Sequence, residues 1–231
     1  MYKTLAIFLV FVSSSFAEDK LVLCKKGELL FEETFEGKEL PKNFRNGKGE
    51  WLMIDGKSLR GKQLKKDNHT AFRKMYLDHQ DVIYQFDFKY EKDAYAKLLI
   101  NYDLVHIANC NIKQNELSIS KLAESKKRKM MEDKAKKEGK EIEKGDWQKK
   151  SIVLEKKKLS LEDGTWYTVT IEIVGDQLSA TVGDVSVKGK HPGLKERKTN
   201  FGIQAAGLNG YIHFDNLRVW KAKESFRESK Q

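Results

Sequence analysis

The sequence predicts an all-β fold, an antiparallel β-sandwich of jelly-roll type carrying one charged helical insertion. Three observations predict it. Apolar and polar residues alternate at period two over most of the chain, which is the signature of half-buried strands. The alternating runs are short and set at hairpin spacing, with Gly-Asp pairs at two junctions. Proline, which central strands exclude, occurs only at Pro41 and Pro192. Many short strands broken by turns favour sandwiches and jelly rolls over parallel α/β folds.

In chain order, residues 1–17 (MYKTLAIFLVFVSSSFA) read as a signal peptide: Lys3, an apolar stretch from Leu5 to Val12, then small and polar residues ending at Ala17. That stretch is well short of the ~20 residues a bilayer-spanning helix needs. An exported chain, periplasmic or secreted and without a transmembrane segment, is expected. Residues 18–27 read as an N-terminal segment, 28–222 as the sandwich and 223–231 as a charged tail. A domain of this length buries a core without staples.

The strand candidates begin with ELLFEETF (28–35), EWLMID (50–55) and TAFRKMY (70–76). In DVIYQFDFKYE (81–91), Val82, Tyr84, Phe86, Phe88 and Tyr90 share one face, and Gln85, Asp87, Lys89 and Glu91 the other. AYAKLLINY, LVHIAN, ELSISK and KKSIVLE follow. TWYTVTIEIVGDQLSATVGDVSVKG reads as a three-stranded meander turning at Gly175-Asp176 and Gly183-Asp184. TNFGIQAAG and GYIHFDNLRVWKA complete the set. In the last, Ile212 and Phe214 have one parity and Leu217 and Val219 the other. A bulge at Asp215-Asn216, its side chains bonded to nearby backbone, reconciles them.

Residues 121–150 read as the helical insertion, with twelve basic and seven acidic residues in a chain of net charge +10. Gly139 and Gly145 would end the helix, and its apolar residues are too few for a core-facing stripe. Ser125 to Lys140 carries no aromatic residue, which argues against nucleic acid. Sulfated or otherwise anionic polysaccharide is the better polyanion for an exported protein, held by salt-sensitive counterion release; a solvated charged helix is the plainer reading.

Cys24 and Cys110 leave both a disulfide and two separate thiols open. The five histidines, His69, His79, His106, His191 and His213, show no paired short spacing, so no metal site and no cofactor are expected, with calcium left open. No nucleophile-elbow or phosphate-loop motif occurs.

Taken together, LLFEETFEG, EWLMIDGKSLRG, DVIYQFDFKY, WYTVTIEIVGDQLSATVG, VKGKHPG, KTNFGIQAAG and FDNLRVWKA resemble the concanavalin/laminarinase-like jelly-roll proteins of the 3-keto-disaccharide hydrolase and family 16 glycoside-hydrolase-like group. The resemblance spans residues 29–222. It implies an exported carbohydrate-active domain, a hydrolase of (3-keto-)glycosides or polysaccharide fragments; the alternative is a non-catalytic glycan-binding or cell-surface interaction module. Better-known members carry a Gly-Asn-Ser-Gly-rich turn where this chain has EKDAYAKLLINYD. Closer members place a histidine after that strand, matched by His106, and an arginine in the strand before, matched by Arg73.

Retaining glycosidases need two carboxylates ~5 Å apart. Here the alternate positions are Gln85, Asp87, Lys89 and Glu91, so Asp87 has no carboxylate at the adjacent alternate places. His106, between Val105 and Ile107 but facing away from both, is the general acid or base candidate, with Asp87 as the second catalytic residue. Arg73 is suited to clamping a hydroxyl pair or a carboxylate, and Gln85, Asn101 and Asp103 to sugar hydroxyls. Trp147, beside the insertion, is the sugar-stacking candidate. Trp166 and Trp220 read as packed or sheet-edge residues.

Overall fold

A computed structural model describes residues 20–40, 42–140 and 150–224. The strands in chain order are β1 (Cys24–Glu33), β2 (Arg45–Lys48), β3 (Glu50–Ile54), β4 (Ser58–Lys62), β5 (Ala71–His79), β6 (Val82–Glu91), β7 (Tyr95–Tyr102), β8 (Val105–Lys113) and β9 (Glu116–Lys121). Helix α1 (Ser125–Lys137) follows, then β10 (Ile152–Lys158), β11 (Trp166–Val174), β12 (Gln177–Val182), β13 (Val185–Lys190), β14 (Lys198–Ala206) and β15 (Tyr211–Glu224). Sheet A runs β13-β12-β11-β6-β15-β4-β3, with β1 paired to the second half of β15. Sheet B runs β10-β9-β8-β7-β14-β5-β2. Every pairing is antiparallel, as the alternation requires.

The core lies between the sheets and is built by parity. Tyr84, Phe86, Phe88 and Tyr90 of β6 are wholly buried. They meet Leu98 and Ile100 of β7 and Phe201 and Ile203 of β14 in one cluster. Tyr84 and Phe201 approach to 5.1 Å between ring centres, and Phe86 and Phe214 to 5.8 Å. Each such side chain contributes about 1.5–3 kcal/mol of burial.

The two Gly-Asp turns fall at residues 175–176 and 183–184, between the meander strands. Gly175 and Gly183 both have φ +54° at the first turn position, as a type II′ hairpin demands. The bulge in β15 also falls where parity places it: pairing with β6 shifts between Asp215 and Arg218. Asn216 there takes φ +48°, and its N–H donates to Asp215 Oδ1 at 2.7 Å.

Three expectations are corrected. First, strands β2 and β4 lie outside the segments read as strands. In β4, Gly61 weakens the pattern because it makes room for an aromatic: a Cβ there would sit 2.7 Å from the Trp51 ring. Second, the helix is shorter than 121–150. Lys121 ends β9, paired with Ala108, and α1 stops at Lys137, with Gly139 at φ +65° just beyond. Third, β1 begins at Cys24, inside the segment set apart from the sandwich.

The last correction has a specific cause. Glu172 of β11, fully buried, accepts the backbone N–H groups of Val22, Leu23 and Cys24 at 2.8, 2.8 and 3.1 Å, and the Ser179 hydroxyl at 3.0 Å. The N-terminal segment is thereby strapped across the outer face of sheet A. Cys24 and Cys110 are both free and buried, one in each sheet, so two separate thiols is the outcome. Burial, with Glu172 adding to it, pushes the Cys24 thiol up to about 12. Residues 1–17, Gly145, Trp147 and most of the 223–231 tail lie outside the described residues. Among the described residues, no helix is long and apolar enough to cross a membrane.

Candidate functional site

The outer face of sheet B is assembled by register. One line of partners across β8, β7, β14 and β5 runs His106, Asn101, Asn200, Tyr76. The next runs Ser120, Asn109, Leu99, Gly202, Lys74, and a third Ser118, Asn111, Lys97, Gln204, Phe72. Every second residue of five adjacent strands therefore contributes to a face rich in amides and hydroxyls. Asn101, Asn109, Asn200, Gln204, Ser118 and Ser120 are all below a tenth exposed, although they point away from the core. Tyr76 is 59% exposed, and His106 is exposed. The result is a low polar floor with an aromatic ring and an imidazole standing above it.

The first line is held by a directional chain of hydrogen bonds. His106 Nδ1–H donates to Asn101 Oδ1 at 2.7 Å, and Asn101 Nδ2 donates to Asn200 Oδ1 at 2.9 Å. Asn200 Nδ2 in turn donates to the Asp103 carbonyl at 2.9 Å, and the Asp103 N–H donates to the Thr199 hydroxyl at 2.5 Å. Because each carbonyl is engaged from one side, both amides are fixed in orientation, and His106 is held through its Nδ1–H. Asn109 Oδ1 is buried on this face without a partner. Buried acceptors are nearly always satisfied, and this one has no partner among the described residues.

His106, Asn101 and Asp103 therefore come together as the sequence suggests, with Asp103 contributing backbone. Asp87 and Gln85 do not join them. Both are on the outer face of sheet A, on the opposite side of the sandwich. Asp87 accepts from Thr168 at 2.5 Å and from Asn216 Nδ2 at 2.8 Å, while Gln85 accepts from Lys26 at 3.1 Å and donates to Thr170 at 3.0 Å. The expected pairing of His106 with Asp87 is thus corrected: strand parity puts them on opposite faces.

Arg73 is corrected too. It shares the inward parity of Ala71 and Met75, with its guanidinium over Trp51 at 6.0 Å and Nε without a partner. Burial lowers its pKa. Trp166, read as packed or sheet-edge, is 43% exposed on the outer face of sheet A. Asn200, Gln204, Ser118, Ser120 and Tyr76 were not singled out from the sequence. Their signal was present as polar parity in Ser118-Ile119-Ser120 and Asn109-Cys110-Asn111, but only the register shows that these runs share one face. Among the described residues, no group of three metal-binding side chains gathers anywhere.

Neither family models nor curated proteins match this chain. Solved structures do. A protein of unknown function with galectin-like fold from Bacillus subtilis aligns at 12% identity and TM-score 0.61, covering 88% of this chain and all of its own. A Bacillus licheniformis β-glucanase aligns at 9% identity and TM-score 0.56, covering 85% of this chain and 100% of its own. The carbohydrate-binding module CBM66 from Bacillus subtilis aligns at 13% identity and TM-score 0.52, covering 76% of this chain and 94% of its own. The fold shared with these structures is the antiparallel jelly-roll sandwich. At these identities the likeness defines the fold, and the site must be argued from its own residues.

Proposed function

We propose that this protein is an exported carbohydrate-binding domain that holds a saccharide against the outer face of sheet B. The observation that supports it is the amide floor running through Asn101, Asn200, Gln204 and Asn109, with Tyr76 exposed beside it. The buried amides of Asn101 and Asn200 hold the exposed His106 imidazole in one orientation toward sugar hydroxyls, and the exposed Tyr76 ring stacks on the C–H face of a pyranose. Carbohydrate-binding relatives in fold support the same reading. The apolar run at residues 5–12 supports export.

Binding is favoured over hydrolysis because His106 is oriented by an amide rather than a carboxylate, and Asp87 is on the other face. A retaining mechanism needs a carboxylate pair ~5 Å apart. Of the carboxylates at the floor, Glu116 at the β9 end is engaged with Lys113 and Lys156, and Asp103 joins the chain through its backbone.

An anionic glycan is the preferred ligand. The Leu122 N–H donates to the Ile107 carbonyl at 2.9 Å, so α1 starts beside the His106 end of the floor. Ser125 to Lys140 carries eight basic and three acidic residues.

The test is native affinity electrophoresis in gels containing laminarin, barley β-glucan, levan or dextran sulfate. Retardation by at least one polymer, lost in Tyr76→Ala and His106→Ala, supports binding on this face. Release of reducing ends by the wild type, abolished in His106→Ala, would replace the binding reading with a hydrolytic one.

A further inference from the structure

The outer face of sheet A is split by the N-terminal strap. Glu172 and Ser179 lie beneath it, whereas among the described residues the strap does not extend over the rows toward the start of β15. One such row runs Leu52, Arg60, His213, Lys89, Trp166 across β3, β4, β15, β6 and β11. The row below carries Asp215, Asp87 and Thr168, and the row above Tyr211 and Glu91. Trp166 is 43% exposed and Leu52 42% exposed.

His213 is the buried anchor of this face. Its Nε2–H donates to Glu91 Oε1 at 2.9 Å, its Nδ1 accepts from the Ser58 hydroxyl at 3.3 Å, and its ring meets Trp166 edge-on at 6.3 Å. Burial, together with Lys89, lowers its pKa against the opposing pull of Glu91. Arg60 stacks over Tyr211 at 4.6 Å, and Lys89 stands over Trp166 at 5.4 Å. The face has no excess of positive charge: Arg60, Lys62 and Lys89 stand against Glu50, Asp87, Asp215 and Glu91.

We propose that this half of sheet A is a second saccharide-binding surface, specific for a neutral glycan stacked on Trp166. Three features point to that ligand. An indole exposes a large apolar plane whose best natural complement is the C–H face of a sugar ring. Carboxylates and cations alternate around it, so neighbouring hydroxyls can donate to Asp87 or Glu91 and accept from Arg60 or Lys89 with charge-assisted bonds. The lack of any excess positive charge gives no field to draw in a polyanion, unlike the basic helix beside sheet B. Two glycan surfaces on opposite sides of one sandwich let a single domain bridge two polysaccharide strands, raising avidity through effective concentration.

The experiment follows the four tryptophan indole N–H signals by NMR. Full-length protein, wild type and His106→Ala, is titrated with laminarihexaose, cellohexaose, levan oligosaccharides and a heparin hexasaccharide. The Trp166 signal, assigned by its loss in Trp166→Phe, should shift with a neutral probe, and shift equally in His106→Ala. A Trp166 signal unmoved by every neutral probe, or moved by heparin alone, overturns the proposal. Movement of Trp166 while the Asn101 and Asn200 side-chain signals stay still would keep this surface and remove the one on sheet B.

Discussion

Asn101 and Asn200 are 99 residues apart in sequence, yet Asn101 Nδ2 donates to Asn200 Oδ1 at 2.9 Å on the outer face of sheet B. Each amide is also the partner of a further group, His106 on one side and the Asp103 backbone on the other. Removing Asn101 leaves the buried Asn200 Oδ1 without its donor and takes the Nδ1 acceptor from His106. Asn101→Ala is expected to cost about 1–3 kcal/mol in urea unfolding. It should also broaden the His106 imidazole signals, because the ring loses the acceptor that fixes its tautomer. An unchanged imidazole spectrum would show that the chain does not orient His106.

Glu172 makes a second prediction. With three backbone N–H groups and a hydroxyl on one carboxylate, it anchors the strap at residues 22–24. Glu172→Gln replaces an acceptor oxygen with a donor facing those N–H groups. Stability should fall by about 1–3 kcal/mol. Hydrogen exchange at Val22, Leu23 and Cys24 should accelerate much more than exchange in β11. Uniform acceleration across sheet A would instead mean that the strap is not a separate unit.

Lys198 is fully buried, and its ammonium has no hydrogen-bond partner among the described residues. Burial lowers its pKa from 10.5 to about 8. Between those two pH values the unfolded chain holds a proton that the folded chain has shed, so stability contributed by this site rises with pH there. Lys198→Met is expected to stabilise the protein at pH 7 by about 1–3 kcal/mol. That advantage should shrink as pH rises from about 8 to 10.5. A destabilised variant at pH 7 would show that the amine is satisfied in solution.

His79 titrates in the opposite range. Its Nδ1–H donates to the Leu77 carbonyl at 2.6 Å, its Nε2 accepts from the Tyr84 hydroxyl, and burial lowers its pKa from 6.5 to about 4. Below pH 6.5 the unfolded chain gains a proton that the folded one resists, so this site's contribution is lost as pH falls toward 4. The loss should reach about 3 kcal/mol by then. Thermal melts of wild type and His79→Gln across this range should converge at acid pH; parallel curves would contradict the assignment.

The basic helix predicts a salt effect. Lys129, Lys136 and Lys137 have no ion pair among the described residues, whereas Arg128 is bonded to Glu132 at 2.6 Å. Reversing the three to glutamate should lower the salt needed to elute the protein from a dextran sulfate column. Binding to neutral polymers should not change. Equal losses for both would place the helix in the folding of the domain rather than in its charge recognition.

Parity carried the fold well and the site only in part. In β6 the alternation of Tyr84, Phe86, Phe88 and Tyr90 with Gln85, Asp87 and Lys89 gave the strand, its buried face and its solvent face directly. The phase break at Asp215-Asn216 located the bulge for the same reason. What parity within one strand does not contain is which sheet the strand joins. Asp87 and His106 both face outward, and only the sheet order β13-β12-β11-β6-β15 against β8-β7-β14 separates them. Long-range register likewise hid Asn200 and Gln204, each unremarkable until β14 is set between β7 and β5. Arg73 misled because a long polar side chain in an alternating strand is assumed to face out, and this one points inward toward Trp51.

The central claim, that the amide floor of sheet B binds saccharide, is tested most directly by isothermal titration with oligosaccharides of whichever polymer retards the wild type in affinity gels. Asn200→Ala, folded by circular dichroism, is compared with the wild type. The account predicts heat of binding for the wild type and at least a tenfold weaker affinity for Asn200→Ala, equivalent to about 1.4 kcal/mol. Equal affinity of the two proteins would contradict it.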